Sequence, residues 1–91
     1  MTTLAVRHSV ADYETWKAGF DGHADARRTH GATGHRVLRD GNDLLVLIEF
    51  PDTAAAEAFR SDPALRTAMQ NAGVQGAPDV SIRAEAEQAQ Y

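Results

Sequence analysis

The chain begins with a segment in which apolar and polar positions alternate. Leu4, Val6 and Val10 share one side of it with His8, and the positions between them carry small or charged side chains. A period of two residues is typical of a strand with one buried face. The pattern therefore predicts a first strand over residues 4–10, with His8 on its apolar side.

A helical pattern follows this strand. Asp12 can cap a helix, because a short carboxylate accepts hydrogen bonds from the free N–H groups of the first turn. Gly19 and Gly22 lie inside the helix, each at a cost of roughly 1 kcal/mol relative to alanine. We predict a weak or bent helix that ends before Gly31, or one whose backbone a neighbouring group approaches closely. The residues at helical spacing on its inner side are Tyr13, Trp16, Phe20, His23, Ala24 and Arg27.

The clearest apolar alternation lies in residues 44–50, after a turn with the sequence DGND at residues 40–43. Glycine and asparagine adopt positive φ angles readily, which makes this turn a hairpin signal. Asp52 and Asp62 each precede a helical pattern, and Pro63 suits the first position of a helix. The elements predicted after the first helix lie at residues 34–40, 44–50, 53–60, 63–72 and 79–84.

This order of elements predicts one domain of the α+β class. Right-handed crossovers fold it into the ferredoxin-like βαββαβ arrangement, a four-stranded antiparallel sheet with the helices on one face. A chain of 91 residues suffices for one domain and is too short for two. We expect a single domain over residues 1–91, with its core at about residues 3–84 and a polar C-terminal tail at residues 85–91.

The strand at residues 44–50 is apolar on both sides. Leu45 and Leu47 lie opposite its other apolar residues, and only Glu49 is charged on their side. A strand that is buried on both faces needs a cover on the face without helices. We expect a second copy of the chain to cover it, which gives a homodimer through the open sheet face, a dimeric α/β barrel. Glu49 and Arg7 are expected to pair there. The alternative is that the tail folds back over this face.

Composition and charge exclude several classes of function. The formal net charge is −4, and the only adjacent basic pair is Arg27-Arg28, which argues against nucleic-acid binding. There is no cysteine, so a disulfide, a thiolate metal site and a cysteine nucleophile are excluded. The N-terminus lacks the pattern of a signal peptide, and the longest apolar run, Leu44 to Ile48, is too short to cross a membrane. We expect a cytoplasmic protein with no nucleic-acid or membrane partner.

Histidine and aromatic side chains supply the candidate chemistry. His8 on the strand and His23 on the helix can both reach a cavity between the helices and the sheet. A histidine in such a place can transfer a proton near neutral pH, and aromatic rings form flat walls for a small aromatic ligand. We predict His8 and His23 as catalytic residues; the alternative is that both are satisfied core side chains or reach solvent. The predicted substrate-binding residues are Tyr13, Trp16, Phe20, Phe50, Phe59 and Met69.

No motif in the sequence indicates a cofactor or a metal. His30 and His35 flank a glycine-rich loop, but their spacing matches no metal-binding motif. The chain also lacks a phosphate-binding glycine loop, a nucleophile elbow and a dinucleotide fingerprint. We therefore expect no bound cofactor and no metal. His30 is expected to be exposed near a helix C-terminus, where a positive charge is favourable.

Four segments of the chain carry a family resemblance. They are VADYETWK at residues 10–17, the strand and helix at residues 46–59, SDPALRTAM at residues 61–69 and AGVQGAP at residues 72–78. With them, the span from Leu4 to Ile82 resembles the dimeric α/β-barrel superfamily, and within it the small antibiotic-biosynthesis monooxygenases and cyclase-like proteins. The resemblance implies the ferredoxin-like fold and chemistry on aromatic polyketides without a bound cofactor.

The chain departs from the site patterns of that superfamily. The quinone-forming members line their cavity with an asparagine and tryptophans, whereas this chain has one tryptophan, Trp16. Its asparagines are Asn42, in a turn, and Asn71, near a helix end. The asparagine, tryptophan and histidine pattern of the haem-degrading members is also absent. No catalytic residue can therefore be carried over from the resemblance.

Three functions are compatible with these observations. The first is a cofactor-independent monooxygenase or cyclase that binds a flat phenolic substrate between helix and sheet. The second is a dimer that binds a small molecule or supports a partner enzyme without turnover. The third is a purely structural dimer in which the aromatic side chains pack tightly. The volume of the cavity beside Trp16 distinguishes the third from the other two.

Overall fold

The computed structural model describes all residues from Met1 to Tyr91. The strands are β1 (Thr2–Val10), β2 (Gly34–Asp40), β3 (Asp43–Phe50) and β4 (Val74–Ala84). The helices are α1 (Tyr13–Gly22), α2 (Ala24–Thr29), α3 (Thr53–Ser61) and α4 (Pro63–Asn71). The strands form one antiparallel sheet in the order β2-β3-β1-β4. The predicted α+β, ferredoxin-like fold is confirmed.

Alternation in the two central strands decides which face of the sheet the helices cover. Leu4 pairs with Ile48, and His8 pairs with Leu44, in the register of β1 against β3. The even-numbered residues of both strands are buried, whereas their odd-numbered neighbours are half-buried or exposed. The buried residues form one core with Trp16 and with the inner residues of α3. The strand facing predicted from the sequence is therefore the observed one.

The helix that follows β1 is interrupted, as its glycines predict. It breaks at His23, which ends α1 and precedes α2. A Cβ atom added at Gly19 would lie 3.0 Å from the Cβ atom of Ala72, which caps the C-terminus of α4. Glycine therefore permits a close approach of α1 to the end of α4, and the predicted close contact is confirmed.

Aspartate side chains begin three of the helices. Asp12 accepts a hydrogen bond from the N–H of Thr15, and Asp52 accepts one from the N–H of Ala55. Asp62 does the same at α4, where Pro63 occupies the first helical position as predicted. The longest helix has 10 residues, and no helix of the protein is long and apolar enough to cross a membrane.

The last strand is longer than predicted. We expected it to begin at Asp79, but β4 begins at Val74, which pairs with Val10. Residues 76–78 interrupt the ladder, since Ser9 pairs with Gln75 and Arg7 pairs with Asp79. Proline within this segment cannot donate to a sheet, which made the sequence resemble a loop. Residues on both sides of this irregularity pair with β1, so the prediction of a loop before Asp79 was wrong.

The face of the sheet without helices has an apolar centre. Leu45 pairs with Leu38 of β2, and Leu47 pairs with Ala5 of β1. Leu38 is 46% exposed, and the two leucines of β3 are half-buried. Residues 85–91 are exposed and do not cover this face. The alternative in which the tail covers it is therefore wrong for this structure.

Glu49 does not pair with Arg7 on this face. Both carboxylate oxygens of Glu49 accept from the hydroxyl of Thr3, at 2.9 Å each, because these two residues are directly opposite in the ladder. Arg7 lies opposite Leu45 and is exposed. The expected ion pair is therefore wrong, because Arg7 lies four ladder positions from Thr3, the partner of Glu49.

Candidate functional site

Aromatic side chains of α1 form a cluster against the sheet. The ring of Trp16, which is 3% exposed, stacks on the ring of Phe20 with centroids 4.8 Å apart. The ring of Tyr13 lies 5.9 Å from that of Trp16, and the guanidinium of Arg39 lies 3.9 Å from the centroid of Tyr13. Their spacing of three and four residues places all three rings on the inner side of the helix.

A small cavity lies beside this cluster, where α1 and α4 approach β3. Its volume is about 50 Å³, and most of the residues around it are apolar. This volume admits a few water molecules and is far below the roughly 300 Å³ that a drug-sized ligand needs. The predicted site residues that line it are His23, Trp16, Phe20, Phe59 and Met69, and Ile48 supplies part of its floor.

Three other predicted site residues lie outside the cavity. Phe50 is fully buried, with its ring 5.6 Å from that of Phe59, and Tyr13 lies on the far side of the aromatic cluster. His8 is on the correct face of β1, but it lies four residues from Leu4, the partner of Ile48. Four residues extend roughly 13 Å along a strand. The two histidines therefore do not line one common cavity.

His23 is the one histidine in the cavity wall. It lies at the junction of α1 and α2, where its N–H donates to the carbonyl of Phe20 over 3.2 Å. Its ring centroid lies 6.2 Å from that of Phe59. Partial burial lowers the pKa of His23, the charge of Arg27 lowers it further, and the carboxylate of Asp62 opposes both. A neutral imidazole at pH 7 has a free lone pair and can accept a proton from a ligand.

His8 is a buried histidine whose Nδ1 atom has no hydrogen-bond partner. The side chain is 7% exposed, and its ring meets the edge of Trp16 with centroids 5.8 Å apart. Burial lowers the pKa of His8, because the charged imidazolium is poorly solvated there. His8 thus supports the position of Trp16 from the sheet side. Its predicted catalytic role stays a prediction.

Two features of the site were not anticipated from the sequence. Arg27 is only 6% exposed and lines the cavity with its guanidinium 3.7 Å from the centroid of Phe20. His30, expected at the surface, is hydrogen-bonded through Nε2 to Asp62 over 2.9 Å and packs against Phe59. The position of Arg27 on the inner side of the helical pattern was a usable signal for its burial. No sequence signal indicated the contact of His30 with Asp62.

A much larger groove borders the cavity. It has a volume of about 940 Å³, is open to solvent, and lies between α4 and β4. Leu65 and Met69 line both spaces, so these two side chains form the wall between them. Asp62 lies at the rim of the groove. No group of three or more histidine, cysteine, aspartate or glutamate side chains is arranged to bind a metal ion.

Comparison with known proteins gives matches by structure and none by sequence. Neither a protein-family model nor a curated protein matches the chain. SnoaB, a cofactor-independent oxygenase from Streptomyces nogalater, is 15% identical with a TM-score of 0.77, over 96% of this chain and 94% of its own. A candidate antibiotic biosynthesis monooxygenase from Nitrosomonas europaea is 16% identical with a TM-score of 0.71, over 96% of this chain and 100% of its own.

A third match extends over the whole of this chain. A candidate antibiotic biosynthesis monooxygenase from Deinococcus radiodurans is 15% identical with a TM-score of 0.73, over 100% of this chain and 98% of its own. Identities this low leave the residues of a site undetermined, because one fold hosts many functions. The similarity extends over nearly the full length of both chains in each case. The chain therefore has the fold of the antibiotic biosynthesis monooxygenase-like proteins.

Proposed function

We propose that this protein is an oxygenase that needs no bound cofactor and acts on a flat, phenolic, polyketide-like molecule. The observation that carries the proposal is the position of His23, a neutral histidine in the wall of a cavity lined by aromatic rings. The fold, shared with the cofactor-independent oxygenase of S. nogalater, supports it. The stacked rings of Trp16 and Phe20 would form one flat wall against which a planar substrate packs.

The chemistry needs one base and no redox centre in the protein. His23 accepts the proton of a phenol, and the resulting phenolate is electron-rich enough to give electrons to dioxygen. For a substrate with a methylene between aromatic rings, the balanced change is CH₂ plus O₂ to C=O plus H₂O. The substrate is the reductant, and one oxygen atom ends in the product and the other in water. The same base would serve a cyclisation that begins with loss of a proton from carbon.

A tricyclic substrate needs more room than the cavity has. Leu65 and Met69 separate the cavity of about 50 Å³ from the groove of about 940 Å³. Both are half-buried and unbranched at Cβ, and a change of rotamer costs such side chains little. Moving them aside would join the two spaces. The substrate would then extend from the aromatic cluster into the groove.

The assembly that we propose is a homodimer formed through the open sheet face. Leu38, Leu45 and Leu47 form its apolar centre, with Ala5 beside them. Charged residues of both signs surround this centre, which is the usual arrangement of a protein interface. A second copy fits better than a chain of another kind, because a twofold axis can bring the acidic part of one rim onto the basic part of the other. The acidic residues of the rim are Asp40, Asp43, Glu49 and Asp79, and the basic ones are Arg7, Arg36 and Arg83.

The test of the oxygenase proposal uses a hydroxyanthrone such as dithranol as substrate, with quinone formation followed by absorbance and oxygen uptake by an electrode. We expect turnover by the protein as purified. The substitution His23→Gln, which keeps a polar side chain but removes the base, should lower kcat by about 10²-fold or more. The rate should remain near its maximum as the pH is lowered to 6.5 and fall only at more acidic pH, since the lowered pKa of His23 keeps the base neutral until then.

The matched control is His8→Gln, because His8 lies outside the cavity and should retain most of the turnover. Loss of turnover in His8→Gln together with an active His23→Gln would contradict the assignment of His23. Binding of the anthrone without oxygen uptake would favour the non-catalytic, small-molecule-binding alternative. Neither binding nor turnover would leave the structural dimer as the remaining function.

A further inference from the structure

A second pocket lies at the other end of the aromatic cluster, between α2 and the beginning of β2. Its volume is about 210 Å³. Seven residues line it, among them Arg27, Arg28, Thr33 and His35, and none of the seven is acidic. The protein as a whole has a formal net charge of −4, so a pocket with only basic ionisable groups stands apart from the rest of the surface.

Arg27 is a buried guanidinium without an acidic partner. It is 6% exposed, lies over the ring of Phe20, and donates from Nη1 to the carbonyl of Phe20 over 2.9 Å. That bond uses one of its five N–H groups, and the side chain makes no other hydrogen bond or ion pair in the protein. Arginine is rarely buried without a partner, since removal of its charge from water is costly.

The other basic groups of the pocket contribute little free charge. Arg28 is paired with Asp25 over 2.9 Å. Burial lowers the pKa of His35, the charge of Arg27 lowers it further, and His35 is therefore neutral at pH 7. The pocket consequently offers one positive charge, that of Arg27, which forms no ion pair; the carboxylate of Asp21 attracts it but is paired with Lys17. The free N–H groups of Arg27 keep some contact with solvent, because the only buried side-chain nitrogen or oxygen atom without a partner is Nδ1 of His8.

We propose that this pocket binds the carboxylate of a small aromatic acid through Arg27. A single positive charge matches a monoanion, and the planar fork of a guanidinium matches both oxygens of a carboxylate. The ring of His35 lines the pocket and supplies a flat surface for an aromatic ring, and its contact with Phe20, with centroids 4.9 Å apart, is edge-on. The volume is below the roughly 300 Å³ of sites for drug-sized molecules, so the ligand is small. The inference goes beyond the oxygenase proposal and needs no turnover.

The first experiment compares benzoate with its neutral isostere benzamide on the unmodified protein, by titration followed with ¹H–¹⁵N NMR. We expect benzoate to bind at least about tenfold more tightly than benzamide. Its carboxylate can form charge-assisted hydrogen bonds with Arg27, and the neutral amide of benzamide cannot. The largest shifts should occur at the side-chain Nε–H of Arg27 and at the amides of residues 33–35. Equal affinity for the two compounds, or shifts confined to other surfaces, would overturn the proposal.

The second experiment compares two substitutions that change the net charge equally. Arg27→Gln should weaken benzoate binding by about tenfold or more, whereas Arg66→Gln, on the exposed side of α4 and outside this pocket, should leave it unchanged within about twofold. An equal loss in both variants would mean that only the overall charge attracts benzoate, and the site would be rejected. If Arg27→Gln does not fold, the comparison of benzoate with benzamide on the unmodified protein decides alone.

Discussion

The unpartnered Nδ1 of His8 gives this residue a measurable effect on stability. His8 is surrounded by apolar and aromatic side chains, among them Trp16 and the cross-strand Leu44. Such an environment disfavours the imidazolium, and burial accordingly lowers the pKa of His8. In the unfolded chain the same side chain has its ordinary pKa of about 6.5.

We predict that the free energy of unfolding falls as the pH is lowered below 6.5. In that range the unfolded chain takes up a proton that His8 in the folded chain resists, so the unfolded state binds more protons and is favoured. The decline should continue until the pH reaches the lowered pKa of the folded state. His8→Leu, an apolar replacement, should make stability less dependent on pH between 6.5 and 5 without a large loss at pH 7.5.

Urea unfolding at several pH values between 5 and 7.5 measures this effect. His35→Leu is the matched control, because His35 is exposed and should contribute less to the slope than His8. Identical pH profiles for the original protein and His8→Leu would show that His8 titrates alike in the folded and unfolded chains.

Single residues also show where sequence reasoning about the site succeeds. The alternation in β1 correctly placed His8 on the core face, and helical spacing correctly placed His23 and Trp16 there. Alternation and helical spacing define which side of an element a residue occupies, but not the position along the sheet at which the helices leave a gap. That gap lies over Ile48, and His23 reaches it whereas His8 does not.

At the scale of elements, Asp62 links two helices. Its Oδ1 accepts from the N–H of Ala64 at the start of α4, and its Oδ2 is bonded to Nε2 of His30, which ends α2. The hydrogen bond from His30 is the largest cause of the lowered pKa of Asp62, and the N–H of Ala64 adds to it. Asp52 caps the start of α3 in the same way, through the N–H of Ala55, but has no histidine partner.

We predict that Asp62→Ala destabilises the protein more than Asp52→Ala. The two residues cap helices of nine residues each, so their caps are matched. Asp52→Ala should lower the free energy of unfolding by about 1 kcal/mol, the usual value for a lost N-cap. Asp62→Ala loses a cap and also the contact with His30, so its loss should be the larger one.

Urea denaturation of both variants, with His30→Gln and the double variant of residues 30 and 62, separates the two contributions. His30→Gln should have a smaller effect in the Asp62→Ala background than in the original protein, because the partner is already absent. Strict additivity of the two substitutions would mean that the hydrogen bond between His30 and Asp62 contributes nothing measurable.

The whole molecule leaves one face of its sheet without a cover. Leu38 is 46% exposed, and it adjoins Leu45 and Leu47 at the centre of that face. Burial of one leucine side chain is worth about 1.5–3 kcal/mol. In a dimer with a twofold axis both copies bury the same three leucines, so the gain from each leucine counts twice.

We predict that the protein is a dimer in solution and that Leu47→Glu makes it a monomer. The substitution removes two apolar contacts and places two carboxylates in the interface, so the dissociation constant should rise by about a hundredfold or more. Sedimentation equilibrium measures the constant directly. Ala58→Glu, an equal change of charge on the exposed side of α3, should leave the dimer intact. A monomer at all concentrations of the original protein would refute the proposed assembly.

The sequence by itself determined the properties that depend on neighbouring residues. Alternation in β1 and β3 specified their buried faces, and aspartates specified the starts of α1, α3 and α4. Gly19 signalled a close approach between helices. These features are local because strand period, helix capping and glycine conformation are properties of a few consecutive residues.

Only the tertiary structure decided which residues meet across the fold. His30 and Asp62 are 32 positions apart, and their hydrogen bond depends on how α2 meets the start of α4. The extension of β4 past residues 76–78 likewise depends on long-range pairing with β1. No local pattern carries such information, because the free energy of these contacts comes from distant parts of the chain that folding brings together.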